Sequence, residues 1–437
     1  MNLNRKAMVL AVGAALAAPC AYSQTSDKWE FYGKFYPELT HASGTGASDA
    51  STTVSTLAAT PAGASGLVNR WEMQVNNTYI GFRGSRTLGG GLKAIGQLEQ
   101  SVPLDEGNVA AKKTPTLIST FGNRDSFVGL EANWGTVRLG NMDTPFKKYG
   151  DTLGFLGVSS GNFVSPNNVT RRVSNSSPSG FNLRRANAID FASPTFGGVQ
   201  AGVQYSIGNP TEGGTTAQDG TATSNGTATP NSAFDPTANR RPRVVSMAVK
   251  WERGPLYLAA ATETHFDLFG GSGLLKSGSG ASVTTSNAGN AGVNSRDSAV
   301  QLTAVYKIGV HSIEADVNTK RYKEIGATAG NNFQEYKNNA YELVWEARWT
   351  NQWRTALSYV KATAGSCTAA GASCTTNGMD ANQISAGLTY SFDPSTNLFA
   401  LLSRLTNGSS ARYNNSSQTP TDGEDITQIA FGISYSF

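Results

Sequence analysis

Asp425-Ile426-Thr427-Gln428-Ile429-Ala430-Phe431-Gly432-Ile433-Ser434-Tyr435-Ser436-Phe437 closes the chain, and its alternation decides the fold. Ile429, Phe431, Ile433, Tyr435 and Phe437 fall on one face of an extended segment, while Gln428, Ala430, Gly432, Ser434 and Ser436 fall on the other. Side chains of a strand alternate between its two faces, so a period of two marks one apolar face and one polar or small face. The pattern returns at Ile384, Ala386, Leu388, Tyr390 and Phe392, and again over 199–207, 92–98 and 341–349. In that last stretch Glu342, Glu346 and Arg348 take the polar face. After Ala18 no run of 18 apolar residues occurs, so no helix is long enough in apolar sequence to cross a bilayer. Strands of this kind enter a membrane only as a closed barrel, because only closure satisfies every backbone group.

Working outward, sixteen such segments can be placed, near 29–40, 70–84, 91–102, 123–131, 135–142, 185–194, 199–208, 241–252, 256–266, 297–308, 310–323, 339–350, 353–364, 381–392, 397–406 and 425–437. Short turns alternate with long polar segments, the latter at 41–69, 103–122, 143–184, 209–240, 267–296, 324–338, 365–380 and 407–424. An even strand number with turns at one end and long loops at the other is the layout of an outer-membrane barrel. Trp29, Trp134, Trp251, Trp349 and Trp353 fall at the short-turn ends, where an interfacial aromatic girdle belongs. A soluble β-sandwich shares the alternation but not these two features. The expected fold class is therefore all-β, a 16-stranded antiparallel transmembrane β-barrel. Stretches such as 213–230 and 270–292 are low in complexity and read as mobile surface, since they cannot bury a core.

Charged residues make up 15% of the sequence, well under the usual share, and 48 glycines accompany them. Arg5 and Lys6, the apolar stretch from Ala7 to Ala18 and the small residues of Ala21-Tyr22-Ser23 have the layout of an export signal over 1–23, leaving a barrel over 24–437. Cys20 is preceded by Pro19 and so makes a poor lipoprotein site. Loss of Arg5 and Lys6 lowers the formal charge from +4 to +2, too little for a nucleic acid partner. Cys367 and Cys374 remain, and in an oxidising compartment two near thiols are expected to form a loop-closing disulfide. No His or acid stands with them to make a metal site, and no cofactor is expected.

The segments also carry a resemblance. Phe31-Tyr32-Gly33-Lys34, Ile80-Gly81-Phe82-Arg83-Gly84 with Leu88-Gly89-Gly90-Gly91-Leu92-Lys93-Ala94, and Gln97-Leu98-Glu99 resemble the first strands of the trimeric general porins of Gram-negative bacteria, β-proteobacterial branch. Asn123-Arg124, Phe127-Val128-Gly129-Leu130, Trp134-Gly135-Thr136-Val137, Leu139-Gly140, Phe191-Ala192-Ser193-Pro194 and Tyr435-Ser436-Phe437 extend the likeness along the chain. The resemblance implies a homotrimer in the outer membrane, in contact with its lipids and lipopolysaccharide. It implies a third loop folded into the lumen, assigned to about 143–184, and a terminal Phe437 read by the barrel-assembly machinery. The function implied is a passive diffusion channel for small hydrophilic solutes and ions.

A pore selects by size and by the charges at its narrowest point. Lys34 matches the family's basic first-strand position, but Tyr79, Gln97 and Asn141 stand where relatives often carry Arg. From 143 to 185 only Asp143 and Asp151 oppose Lys147, Lys148, Arg171, Arg172, Arg184 and Arg185, and Lys93, Arg124 and Arg138 add to them where their side chains turn inward. The expected constriction set is Lys34, Lys93, Arg124, Arg138, Asp143, Lys147, Lys148, Asp151, Arg171 and Arg172, with an anion preference. A channel specific for aromatic or sugar-like solutes is the alternative, suggested by Tyr149, Phe155, Phe163 and Phe181 in the third loop. An enzyme is not expected: His41, His265 and His311 stand in no nucleophile, zinc or phosphate motif.

Overall fold

The computed structural model describes residues 27–47, 65–104, 122–150, 152–157, 162–173, 180–208, 242–268, 295–324, 333–369 and 374–437. The expected export signal, Asp151 and the low-complexity stretches 213–230 and 270–292 lie outside the described residues. Strand segments in chain order are β1 (Lys28–Phe35), β2 (Glu38–Thr45), β3 (Arg70–Gln74), β4 (Tyr79–Gly89), β5 (Leu92–Ser101), β6 (Ser126–Ala132), β7 (Gly135–Asp143), β8 (Arg184–Ala192) and β9 (Val199–Ile207). They continue as β10 (Arg243–Arg253), β11 (Leu256–Phe266), β12 (Ser295–Ile308), β13 (His311–Glu324), β14 (Phe333–Arg348), β15 (Trp353–Ala362), β16 (Ser366–Ala369), β17 (Ala381–Ser391), β18 (Thr396–Asn407) and β19 (Asp425–Ser436). Three single-turn helices, α1 (Pro145–Lys148), α2 (Gly154–Gly157) and α3 (Asn167–Thr170), fall within the third loop.

These segments make one antiparallel sheet whose neighbours are consecutive along the chain and which closes on itself, β1 against β19. Nineteen segments build 16 barrel strands, because β1 with β2, β3 with β4, and β15 with β16 each run as one. The first expected strand, 29–40, is broken at Tyr36-Pro37 and then runs on to Thr45. Pro37 has no N–H to give to the ladder. The gap is bridged instead by Tyr36 N donating to Thr78 Oγ1 at 2.9 Å and Ile433 N to the Pro37 carbonyl at 3.2 Å. At the seam Gly33 and Phe437 exchange backbone hydrogen bonds of 3.0 and 3.1 Å.

Burial alternates along the strands with large apolar residues on the exposed face, as at Leu302, Leu343, Leu357, Ile384 and Phe431. Polar residues such as Gln301, Glu342, Ser385 and Gln428 occupy the buried face. That is the inverse of a water-soluble protein and the arrangement of a barrel in lipid. Trp29, Trp134, Trp349 and Trp353 are exposed outward at the short-turn ends. Not all long connections stand off the barrel. Over 407–424, Tyr413 N donates to Asn407 Oδ1 at 2.9 Å, and both Tyr413 and Asn415 are buried against the inner wall. Glu424 fixes the base of this segment to the first loop, accepting from Gly66 N at 2.8 Å and Thr421 N at 2.8 Å. The Cys367–Cys374 disulfide is present, its Cα atoms 5.9 Å apart.

Candidate functional site

The third loop leaves β7 at Asp143 and turns into the lumen. Thr144 caps α1, its hydroxyl accepting from Lys147 N, and Pro145 at the first helical position costs no hydrogen bond there. Phe146 N then donates to Ser246 Oγ of β10 at 3.0 Å, and the Tyr149 carbonyl accepts from the Tyr257 hydroxyl of β11 at 2.7 Å. Glu314 of β13 takes both Thr152 N and Leu153 N at 2.7 Å. Glu346 of β14 accepts from Leu156 N, and Glu38 of β2 accepts from the Asn162 amide at 2.7 Å. The loop is thus stitched across the lumen by carboxylates that reach up from the wall, a strong charge-assisted use of each N–H. Asn415 joins the stitching from the eighth loop, donating to the Phe163 carbonyl at 3.0 Å while its own Oδ1 accepts from Gln428 at 2.9 Å.

Phe155 and Leu156 at the bend have positive φ, 37° and 63°, conformations that L residues seldom adopt unless their surroundings enforce them. Their side chains press on β17 at Gly387, where an added Cβ would lie 2.7 Å from Leu156 Cδ1 and 3.0 Å from Phe155 Cε1. Gly387→Val is therefore expected to lift the loop tip, cost about 1–3 kcal/mol in overpacking and alter single-channel conductance. Thermal unfolding and bilayer recordings check this, and unchanged conductance would show that the tip is not seated there.

Facing the loop, the wall of β1 to β7 carries bases laid on aromatic rings. Lys34 Nζ lies 4.9 Å from the Tyr36 ring centre, the Arg83 guanidinium 4.5 Å from Tyr32, Arg124 4.4 Å from Tyr79 and Arg138 5.4 Å from Phe127. Such stacking orients each cation and contributes modestly to holding it. Acids interleave: Glu30 with Arg83 at 2.5 Å, Glu99 with Arg124, and Asp190 with Arg138 and, at 3.8 Å, with Lys148. Asp143 is shared by Lys147 at 3.0 Å and Arg184 at 2.9 Å, and Arg184 also reaches Asp125 at 2.6 Å. Lys34 and Arg172 have no carboxylate partner among the described residues.

The sequence-derived set divides in space. Lys34, Arg124, Arg138, Asp143, Lys147 and Lys148 come together between loop and wall, and Arg172 is half-buried on the loop. Two expectations need correction. Arg171 is only 2% exposed, bonded to Gln301 at 3.0 Å and to the Lys147 carbonyl at 3.3 Å, so it ties the loop together from behind. Lys93 points into the lumen but sits by the short turn, paired with Glu131 at 3.1 Å. Sequence reasoning did not pick out Arg83, Glu99, Asp125 or Asp190, whose roles follow from cross-strand register such as Arg138 opposite Asp190. The loop aromatics Phe155, Phe163 and Phe181 are buried as packing. His265 contacts Glu263 at 2.9 Å and stacks on Phe181, its centre 4.5 Å away.

A closed sheet with its apolar side outward, its polar side inward and a loop across its bore is a transmembrane β-barrel of the pore-forming type. A family model described as Gram-negative porin matches residues 7–410, and the chain belongs to that family, whose place is the outer membrane. Major outer membrane protein P.IB of Neisseria lactamica is 35% identical over 127 residues, 29% of this chain and 32% of that protein. Major outer membrane protein P.IA of Neisseria meningitidis serogroup C is 44% identical over 69 residues, 16% of this chain and 15% of that protein. The chain thus spans about a third or less of the length of these curated relatives. Among solved structures, the anion-selective porin from Comamonas acidovorans matches with TM-score 0.63 at 21% identity, over 94% of this chain and 100% of that one. Salmonella typhi OmpF in complex with daunomycin matches at 0.51 and 16% identity, over 94% and 98%. At these identities the two share the fold.

Proposed function

We propose that the protein is a porin in function as well as family: a passive diffusion channel for small hydrophilic solutes and ions that favours anions. The observation that carries this reading is a segregation of charge. Glu38, Glu314 and Glu346 are buried under the third loop and occupied by its donors. The bases Lys34, Arg83, Arg124, Arg138, Lys147, Lys148 and Arg184 gather between the loop and the facing wall, where Glu30, Glu99, Asp125, Asp143 and Asp190 are too few to balance them, although Asp190 and the Lys148 Nζ are themselves buried. An excess of fixed positive charge at a constriction draws anions in and repels cations. The Comamonas porin of like fold is anion-selective by its description, which agrees with this sign.

Burial of Phe155, Phe163 and Phe181 weighs against the alternative of an aromatic-lined specific channel, since rings used as packing offer no track to a solute. Further parts of the proposal are a homotrimeric state, contact with outer-membrane lipids and lipopolysaccharide, insertion by the barrel-assembly machinery through Phe437, and removal of 1–23 on export. No catalytic role is proposed. The test is a salt gradient across a planar bilayer holding the refolded chain from residue 24. Ohmic steps with an anion-directed reversal potential are expected. A cation-directed potential overturns the charge reading, and absence of conductance from inserted protein overturns the pore.

A further inference from the structure

Three Asn-Gly pairs occur in the chain: Asn225-Gly226, Asn377-Gly378 and Asn407-Gly408. The first lies outside the described residues, and the other two stand side by side at the long-loop end of the barrel, in the seventh and eighth loops. Such a pair can modify itself. The glycine nitrogen attacks Cγ of the asparagine side chain, and because glycine has no Cβ nothing on that residue shields the nitrogen. The reaction needs a side-chain amide and a backbone N–H that are not already held in place.

Asn407 is held on every side. It is 7% exposed, and its Nδ2 donates to the carbonyls of Tyr413 at 3.0 Å and Glu424 at 2.7 Å. Its Oδ1 accepts from Tyr413 N at 2.9 Å, and Gly408 N donates to the Asp380 carbonyl at 2.8 Å. Swinging that amide onto Gly408 N would break all of these bonds in a buried place. Asn377 is the opposite case. It is exposed, and neither its side chain nor Gly378 N makes a hydrogen bond among the described residues. The turn it belongs to is closed by Met379 N donating to the Thr376 carbonyl at 3.1 Å, with Gly378 at a φ of 71°.

The surroundings give any change in this turn a consequence. Cys374, bridged to Cys367, pins one end. Met379, only 1% exposed, pins the other in an apolar cluster with Phe146, Val173 and Phe181 of the third loop. Ser410 N donates to the Gly378 carbonyl at 2.9 Å, and a Cβ on Gly378 would lie 2.3 Å from Ser409 Oγ. The turn therefore has no slack toward the eighth loop.

We propose that Asn377-Gly378 is a site of spontaneous deamidation, which places a carboxylate in the seventh loop and lengthens the turn that seats Met379 against the third loop. Gly378 N gives its proton to water or hydroxide and bonds to Asn377 Cγ. The Cγ–Nδ2 bond breaks, and Nδ2 takes up a proton from water and leaves as ammonia. Water then opens the cyclic imide at either carbonyl, giving aspartate or an isoaspartate whose backbone runs on through Cβ and Cγ. Only water is consumed, and no electrons change hands. The chemistry stands apart from the pore reading, whereas its effect on current rests on that reading.

The test ages the refolded chain in mildly alkaline buffer, digests it and weighs the peptides that hold Asn377 and Asn407. Asn377 is expected to convert at least about tenfold faster, because breaking even two of the bonds that hold Asn407 costs that factor. This comparison needs no variant. Asn377→Gln, whose longer side chain closes a ring far less readily, is expected to stay intact on ageing and to keep parental conductance. Asn377→Asp isolates the charge, and its reversal potential is expected to move toward cations at low salt and to return at high salt. The aged chain is expected to move the same way and to add open-channel noise, because only the lengthened turn unseats Met379. Equal rates at the two asparagines, or conversion at neither, would overturn the site. Conversion with parental reversal potential and noise would overturn its link to the third loop. Conversion in a chain that inserts without conducting would sink the pore reading and leave the site standing.

Discussion

Replacing Lys34 with Glu turns the channel toward cations. Lys34 rests on the Tyr36 ring with no carboxylate partner among the described residues, so no acid there offsets its charge. A unit charge about 5 Å from a passing ion in water-like surroundings is worth about 0.8 kcal/mol, about fourfold in favour of an anion and about fourfold against a cation. Neutralisation by Gln should therefore shift the anion-to-cation permeability ratio by up to about 16-fold, and reversal to Glu by about the square of that at low salt, with both effects fading as ionic strength rises. Reversal potentials at two salt concentrations check this. An unshifted potential for Lys34→Glu would place the selective charges elsewhere. Arg138→Gln differs in kind, because it removes a base and leaves the buried Asp190 to Lys148 and Gln204, so the charge of an acid is uncovered as well.

The second large effect is expected from Glu314→Ala. This carboxylate accepts from Thr152 N and Leu153 N at 2.7 Å and from the Thr152 hydroxyl at 3.2 Å. Removing it orphans donors that are turned toward the wall, at about 1–3 kcal/mol. Against a docked loop that is about a 10- to 100-fold rise in the undocked population. The expected record is a noisier open channel with flickering between conductance levels, and the barrel's own melting should move far less. A quiet channel of parental conductance would mean that the remaining contacts, those of Glu346, Glu38 and Asn415, hold the loop without Glu314. Adding Asn415→Ala should deepen the flicker, since it cuts the tie from the eighth loop to Phe163.

Much of the barrel was readable because parity is local. Ile429 to Phe437 state which way each side chain points, and neighbouring strands repeat the statement, so strand number and sidedness follow without any long-range information. The constriction was readable only in outline. Lys34, Arg124 and Arg138 were found as bases, but not the rings beneath them, because Tyr79 under Arg124 is a contact between a strand and a loop many residues away. Tyr79 looked like a lost arginine and is instead the platform for a different one. Arg171 misled for the opposite reason: a base in a constriction loop faces the lumen or its own loop's interior according to a turn that composition does not encode. Pro37 announced its break in the first strand, whereas the inward fold of 407–424 depended on Asn415 finding Phe163 and Gln428, which no local pattern reveals.

The seam has a consequence for how such a chain comes into being. Gly33 and Phe437 clasp one another across about four hundred intervening residues, at the end of a seam that pairs β1 and β2 with β19, while the other strand pairings join barrel strands adjacent along the chain. Hairpins can form early and cheaply, but the clasp must wait until the final strand exists, and it carries the largest loop-closure cost of any pairing in the molecule. Until then the half-made wall has two bare edges, each able to pair with a stranger. Phe437, wedged against Phe31 and Phe35 with ring centres 5.7 and 5.4 Å away, is thus the keystone: set last, it turns a curling ribbon into a vessel.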